Sequence, residues 1–261
     1  MVEFVKTKEE IKILKEGGGR LAKILTALVE SVKPDISTIE LDRLAESLIF
    51  TCGGRPSFKG HRSKEGLIYP CSICVSINDE IVHGIPIKDK ILKAGDVVGL
   101  DVGMCWPDGK NQKGMYTDTA ITIGIGKVSA EAESLMRVTG ESLAVGIKAV
   151  RPGVKLGDVS FIIQNYLEKN KLGVVRSLAG HGVGYAVHEE PLVPNFGKPG
   201  TGLELKTGMV LAIEPMATLG GWELEIGKDN WAFVTKDGSL GAHFEHTIAV
   251  TADGAEILTI V

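Results

Sequence analysis

Apolar residues recur at helical spacing in four stretches, with shorter runs of strand character between them. Thr7-x-x-Glu10 has the form of a capping box, and Ile11, Leu14, Leu21, Leu25, Leu28 and Val32 then keep to one helical face. Pro34 ends that helix, because the residue before a proline is pushed out of the α region. Ser37-x-x-Glu40 opens a second helix with Leu41, Leu44 and Leu48 on one side, stopped by Gly53-Gly54. A third helix is predicted from about Ser129 to Val150, before Pro152, and a fourth from about Asp158 to Leu172, before Gly173.

These elements come in two matching sets. Val32-Lys33-Pro34-Asp35-Ile36 aligns without a gap to Val150-Arg151-Pro152-Gly153-Val154, each between two helices. Lys93 to Asp101 likewise aligns to Lys206 to Glu214, both reading as a turn and a short apolar strand ending in a carboxylate. Thr117-Asp118-Thr119-Ala120-Ile121 resembles Phe244-Glu245-His246-Thr247-Ile248, a carboxylate opening a β-branched strand. Two such halves, about 1–125 and 126–261, packed about a pseudo-two-fold would bring four carboxylates into one site. With no linker between them, the sequence predicts one α+β domain over 1–261: a curved antiparallel sheet, four helices on one face, and a site on the concave face.

Composition narrows the classes. Hydrophobic residues make up 44% and charged residues 24%, enough apolar material for a sizeable core. Net charge is −4, with 29 basic against 33 acidic residues, so no electrostatic footprint for nucleic acid or a membrane surface is expected. No apolar run approaches a membrane span, the N-terminus lacks the apolar core of a signal peptide, and a cytoplasmic location is expected. Cys71-x-x-Cys74 has the spacing of half a zinc site, but no second pair accompanies it. Cys52, Cys71, Cys74 and Cys105 are expected as reduced thiols, mostly buried.

The four repeated acids point to metal chemistry. Taken singly, each could be a strand-end cap or a turn residue. Converging together without a Lys or Arg beside them, they would repel one another strongly at low effective dielectric, and two divalent cations would offset that repulsion. A nitrogen ligand is available in Gly180-His181-Gly182-Val183-Gly184, where the flanking glycines let the backbone close on the site. Oxygen donors with one imidazole suit Mn2+, Fe2+, Co2+ or Zn2+. His83 and His188 are candidates to hydrogen-bond substrate or a tetrahedral intermediate, whereas His61, His243 and His246 are left as structural or surface residues.

At these residues the chain resembles the type I methionine aminopeptidases, within the pita-bread, creatinase-like metallohydrolases. The stretches that carry the resemblance are Asn78 to Pro86, Gly99 to Gly103, Thr117 to Ala120, Gly180 to Pro191, Ile213 to Pro215 and Lys236 to Thr247. It implies that Asp101, Asp118, His181, Glu214 and Glu245 bind two divalent ions, with Asp118 and Glu245 bridging. It also implies a catalytic proton carrier in Glu214, substrate contacts from His83 and His188, and a methionine pocket walled by Tyr69, Cys74 and Trp231. The implied reaction is hydrolysis of the first peptide bond of nascent polypeptides starting with methionine and a small residue, transiently at the ribosome, by a monomer.

Some positions depart from the family pattern. Val187 stands where many relatives carry Phe, Gly66 stands near an expected Tyr, the hairpin between Asp101 and Asp118 is long, and Lys59 to Leu67 looks inserted. Two competing readings are an Xaa-Pro aminopeptidase or prolidase-type enzyme and a non-catalytic pita-bread binding protein. The first usually carries an extra N-terminal domain, and helical pattern here begins by Thr7; the second has lost metal ligands, and all five are present.

Overall fold

The computed structural model describes residues 4–63, 66–109 and 113–260. The four amphipathic stretches fold as α1 (Lys8–Ser31), α2 (Thr38–Thr51), α3 (Ala130–Ala149) and α4 (Leu156–Lys169). The Thr7 hydroxyl accepts from the Glu10 N–H while the Glu10 carboxylate accepts from the Thr7 N–H, closing the box predicted for α1. At α2 the Glu40 carboxylate accepts from the Ser37 N–H, and the Ser37 hydroxyl also donates to the carbonyls of Ile87 and Lys88. α4 starts two residues before Asp158. That carboxylate lies in the first turn and accepts from the Lys155 N–H at 3.1 Å, where the helix dipole favours a negative charge.

The repeated turn after α1 and α3 keeps its geometry as well as its sequence. Asp35 and Gly153 both take positive φ, 70° and 87°, a region open to glycine and tolerated by Asp. Their N–H groups donate to the carbonyls of Leu92 and Leu205, both at 2.9 Å, and Leu92 and Leu205 donate back to Ile36 and Val154 at 3.0 and 2.8 Å. Each turn thus anchors the lead into an acid-bearing strand.

A nine-stranded antiparallel sheet spans both sets. From one edge the order is Arg55–Pro56, Val97–Trp106, Met115–Gly124, Glu245–Thr251, Val210–Ile213, Ala179–Gly182 and Glu189–Pro194; Ile73–Ile77 and Gly254–Ile257 pair off that path. One face packs on the helices. Val98, Leu100, Val102 and Met104 meet Leu21, Ile24 and Leu28 of α1 and Leu41, Ala45 and Ile49 of α2. Leu211, Ile213, Ile248 and Val250 meet Leu135, Val138 and Ile147 of α3 and Val159, Ile163 and Leu167 of α4. Side chains alternate along a strand, so fixing these residues toward the helices turns their neighbours Asp101, Glu214 and Glu245 to the other face.

Asp101 and Asp118 differ from expectation in one respect. They do not end or open their strands but sit inside a hairpin paired from Val97↔Gly124 to Trp106↔Met115. Asp101 only interrupts the apolar run, which resumes at Val102, and pairing continues because Val102 to Cys105 are still buried. Glu214 directly follows its strand and Glu245 opens its own, as the pattern predicts. The tip of the long hairpin, 110–112, and residues 64–65 of the Lys59–Leu67 stretch lie outside the described residues. All four cysteines are free thiols: Cys71, Cys74 and Cys105 are buried and Cys52 half-buried.

Candidate active site

Strand register alone collects the five candidate ligands on one face. Asp101 is paired with Ala120, two residues from Asp118, and Ala120 is paired with Glu245 across the seam between the halves. His246 is paired with Ile213, so the next step along the same register sets Glu245 opposite Glu214. His181 is paired with Ala212, two residues before Glu214. Directly paired residues in an antiparallel sheet share a face, so five neighbouring strands each contribute one donor. Hydrogen bonds lock the seam: the Asp118 N–H donates to the Thr247 hydroxyl, which donates back to the Asp118 carbonyl at 2.8 Å, and the Thr119 hydroxyl donates to the Glu245 carbonyl.

Close backbone approach brings His181 in. A Cβ on Gly180 would lie 2.4 Å from the Ala212 carbonyl oxygen, and one on Gly182 would lie 2.3 Å from that of Glu190. The glycines therefore serve strand packing on both sides of His181, rather than a loop. Gly180→Ala is expected to push the His181 strand off its neighbour and to weaken divalent-metal binding at least tenfold, as read by calorimetric titration; unchanged affinity would contradict this account.

The donor atoms converge under a cavity of about 670 Å³. Three groups of donors lie within 4.8 Å of one another: Asp101 with Asp118 and Glu245, His181 with Glu214 and Glu245, and Asp118 with His181 and His188. The His181 Nδ1 is 2.9 Å from the Gly182 carbonyl oxygen, which can only accept, and its Nε2 faces Glu214 Oε1 at 3.5 Å. Burial holds the Asp118 and Glu214 carboxyls up at about 7, with Glu214 adding to the effect on Asp118. Burial and the neighbouring acids raise Asp101 and Glu245 well above the carboxylate range.

These residues fit a divalent-cation site. Asp101 Oδ1 and Glu245 Oε1 are buried and have no hydrogen-bond partner among the described residues. Two unit charges 4 Å apart repel by about 4 kcal/mol at an effective dielectric of 20, so a dry cluster of four carboxylates must take up protons or cations. Four carboxylates and an imidazole suit a divalent ion with mixed oxygen and nitrogen preference.

The other predicted residues line the same cavity: Tyr69, Cys74, His83, His188 and Trp231. The Tyr69 ring meets Trp231 edge-on at 5.1 Å, and its hydroxyl donates to the carbonyls of Ile73 and Gly84 at 3.0 and 3.1 Å, which fixes that wall. His83 takes a positive φ of 61° at the end of its strand and packs edge-on against Phe233. His188 keeps part of its surface open to the cleft, yet its ring is 4.5 Å from that of His181. Burial within the cleft and the other histidines lower both, His83 to about 4 and His188 to about 3, so at neutral pH each is an uncharged donor. Val187 is not part of the lining; it packs behind the wall with Phe58, Tyr69 and Cys74, and Gly66 is exposed away from it.

Two histidines assigned structural or surface roles reach the site. His61 lines the cavity with its ring 5.3 Å from His188. His243 is 3% exposed, and its Nε2 lies 3.2 Å from Glu214 Oε2. Burial lowers its pKa to about 4, so it meets Glu214 as a neutral ring. It sits on the short strand Gly241–His243, paired with Met216–Thr218 just after Glu214; only that tertiary pairing reveals it. His246 is structural, its Nδ1 being 3.0 Å from the Thr259 hydroxyl. His243→Ala is expected to slow turnover about 10- to 100-fold in steady-state assays, the usual loss when a group orienting a ligand is removed.

Comparison with known proteins agrees with this geometry. Metallopeptidase family M24 matches residues 12–252, and the chain belongs to that family. Methionine aminopeptidases are among the relatives that match it over nearly the full length. That of Clostridium perfringens (strain 13 / Type A) is 44% identical over 258 residues, covering 99% of both chains. Methionine aminopeptidase 1 of Bacillus subtilis (strain 168) is 44% identical over 256 residues, covering 98% of each. The crystal structure of the Thermotoga maritima methionine aminopeptidase superposes with a TM-score of 0.93 at 41% identity over 100% of both chains. The prolidase of Pyrococcus horikoshii OT3 superposes at a TM-score of 0.75 and 21% identity, covering 98% of this chain and 63% of that one, a likeness of fold. The curved sheet with four helices is the pita-bread fold.

Proposed function

We infer that this chain is a metalloaminopeptidase that hydrolyses the first peptide bond of a polypeptide and releases its N-terminal methionine. The observation that carries the reading is the convergence of five donors from five adjacent strands at the floor of a cavity walled by Tyr69, Cys74 and Trp231. An apolar, partly aromatic pocket of that kind suits an unbranched thioether side chain.

In this reading Asp101, Asp118, His181, Glu214 and Glu245 would hold two divalent ions, Co2+, Mn2+, Fe2+ or Zn2+. Bound there, such ions supply Lewis-acid polarisation of the scissile carbonyl and acidification of a water. Glu214 takes up a proton at its carboxylate and passes it to the leaving amine, with the His243 Nε2 lying 3.2 Å from its Oε2. His83 and His188, uncharged at neutral pH, donate to the developing oxyanion and the substrate backbone. The chain acts as one catalytic domain whose halves, about 1–125 and 126–261, share the sheet, and it works as a monomer in the cytoplasm on nascent chains, transiently at the ribosome. No helix of the described residues is long and apolar enough to cross a membrane.

The test is turnover after reconstitution with each of the four metals on Met-Ala and Ala-Pro peptides. Release of methionine with little cleavage of Ala-Pro is the expected result. Preferential cleavage of Ala-Pro, or no cleavage with any metal, would refute the assignment.

A further inference from the structure

Lys6 lies far from the site in sequence yet is only 3% exposed. Its N–H donates to the Gly208 carbonyl at 2.7 Å, and Val5 bridges Met209, so the segment before α1 is pinned to the body of the fold. The Lys6 ammonium is 2.6 Å from Glu189 Oε2 and 4.1 Å from the centre of the Tyr185 ring. The other oxygen of Glu189 accepts the N–H of Ala186 at 2.8 Å and that of Tyr185. One carboxylate therefore closes the 185–189 loop on itself and ties it to Lys6. A Cβ on Gly184 would sit 2.6 Å from Lys6 Cε, so that glycine leaves room for the lysine stem. The start of α1 reinforces the contact: the Tyr185 hydroxyl donates to Glu10 Oε2 at 2.9 Å.

His188 is held between these restraints, next to Glu189 in the chain and with its ring against His181. We propose that Lys6 is a positioning residue for His188: its buried ion pair with Glu189 fixes the loop that aims the imidazole into the cleft. The proposal rests on the reading of His188 as a substrate contact. A buried ammonium needs a fixed partner, and Glu189, already holding two backbone N–H groups, passes that constraint to the neighbouring residue. Small displacements of a group that acts in the transition state cost rate rather than binding.

The experiment is a double-mutant cycle with Lys6→Met, His188→Ala and the two combined, assayed on a Met-Ala peptide with the metal-loaded protein. Lys6→Met is expected to lower kcat about 10- to 100-fold with KM nearly unchanged. In the His188→Ala background the same change is expected to add less than about twofold, because the two residues act as one unit. Glu189→Gln keeps an oxygen for the two N–H groups but removes the charge, so it should reproduce the pattern and serves if Lys6→Met does not fold. The His188 ring C–H resonances of the metal-free protein should shift or broaden in whichever variant folds. A wild-type kcat, a loss that persists in full in the His188→Ala background, or unmoved His188 resonances would overturn the proposal. A wild-type chain that cleaves no methionyl peptide would instead overturn the functional reading, and the resonances would still decide the role of Lys6.

Discussion

Glu214→Gln is expected to lower kcat on a Met-Ala peptide by about two to four orders of magnitude, the range that general acid–base catalysis contributes, with no loss of thermal stability. The substitution keeps size and a donor oxygen but removes the group that takes up and releases a proton. Glu214 is 8% exposed and at the end of a buried strand, so a neutral isostere leaves the packing intact. In the metal-free protein it also removes one member of a crowded set of acids. Steady-state kinetics with a melting curve measure both effects. A variant of near-normal rate would take the proton-carrying role away from Glu214.

The second large effect is on stability. The metal-free chain is expected to become less stable as pH rises from about 6.5 to 8, and a divalent cation is expected to abolish that loss. Asp118 and Glu214 keep their protons up to about 7 in the folded chain, and Asp101 and Glu245 keep theirs well above the carboxylate range, whereas ordinary carboxyls have lost them by pH 5. The folded state therefore binds more protons than the unfolded one over this interval, and stability falls with pH. Below 6.5 the effect is largely offset. His83, His188 and His243 hold pKa values of about 4, 3 and 4, so the unfolded chain gains protons there that the folded chain does not. Cation binding displaces the carboxyl protons, so its stabilisation should grow with pH. Melting temperatures at half-unit steps, with chelator and with Mn2+, provide the measurement; a metal-free curve that is flat or rising above pH 6.5 would contradict it.

Much of this was legible from local pattern. The four helices follow from capping residues and stop signals that act within a few positions, as at Thr7 and Pro34. The acid set was legible because duplication repeats it, and alternation fixes its face once the helix-facing positions are known. What local pattern left open was whether a strand runs on past a charged residue, since the apolar stretch Val102 to Trp106 is strand only because Met115 to Thr119 pairs with it. His243 and His61 were missed for a related reason. The first reaches Glu214 only through a short strand paired after it, and the second lies in a stretch that sequence marks merely as inserted.

The seam between Met115–Gly124 and Glu245–Thr251 has Asp118 on one side and Glu245 on the other. Cations held by these residues would act as rivets across the seam, and neither moiety alone carries a complete set of donors. Cut between its halves, the protein should bind no metal in either fragment, and adding the ion should drive the fragments to reassemble.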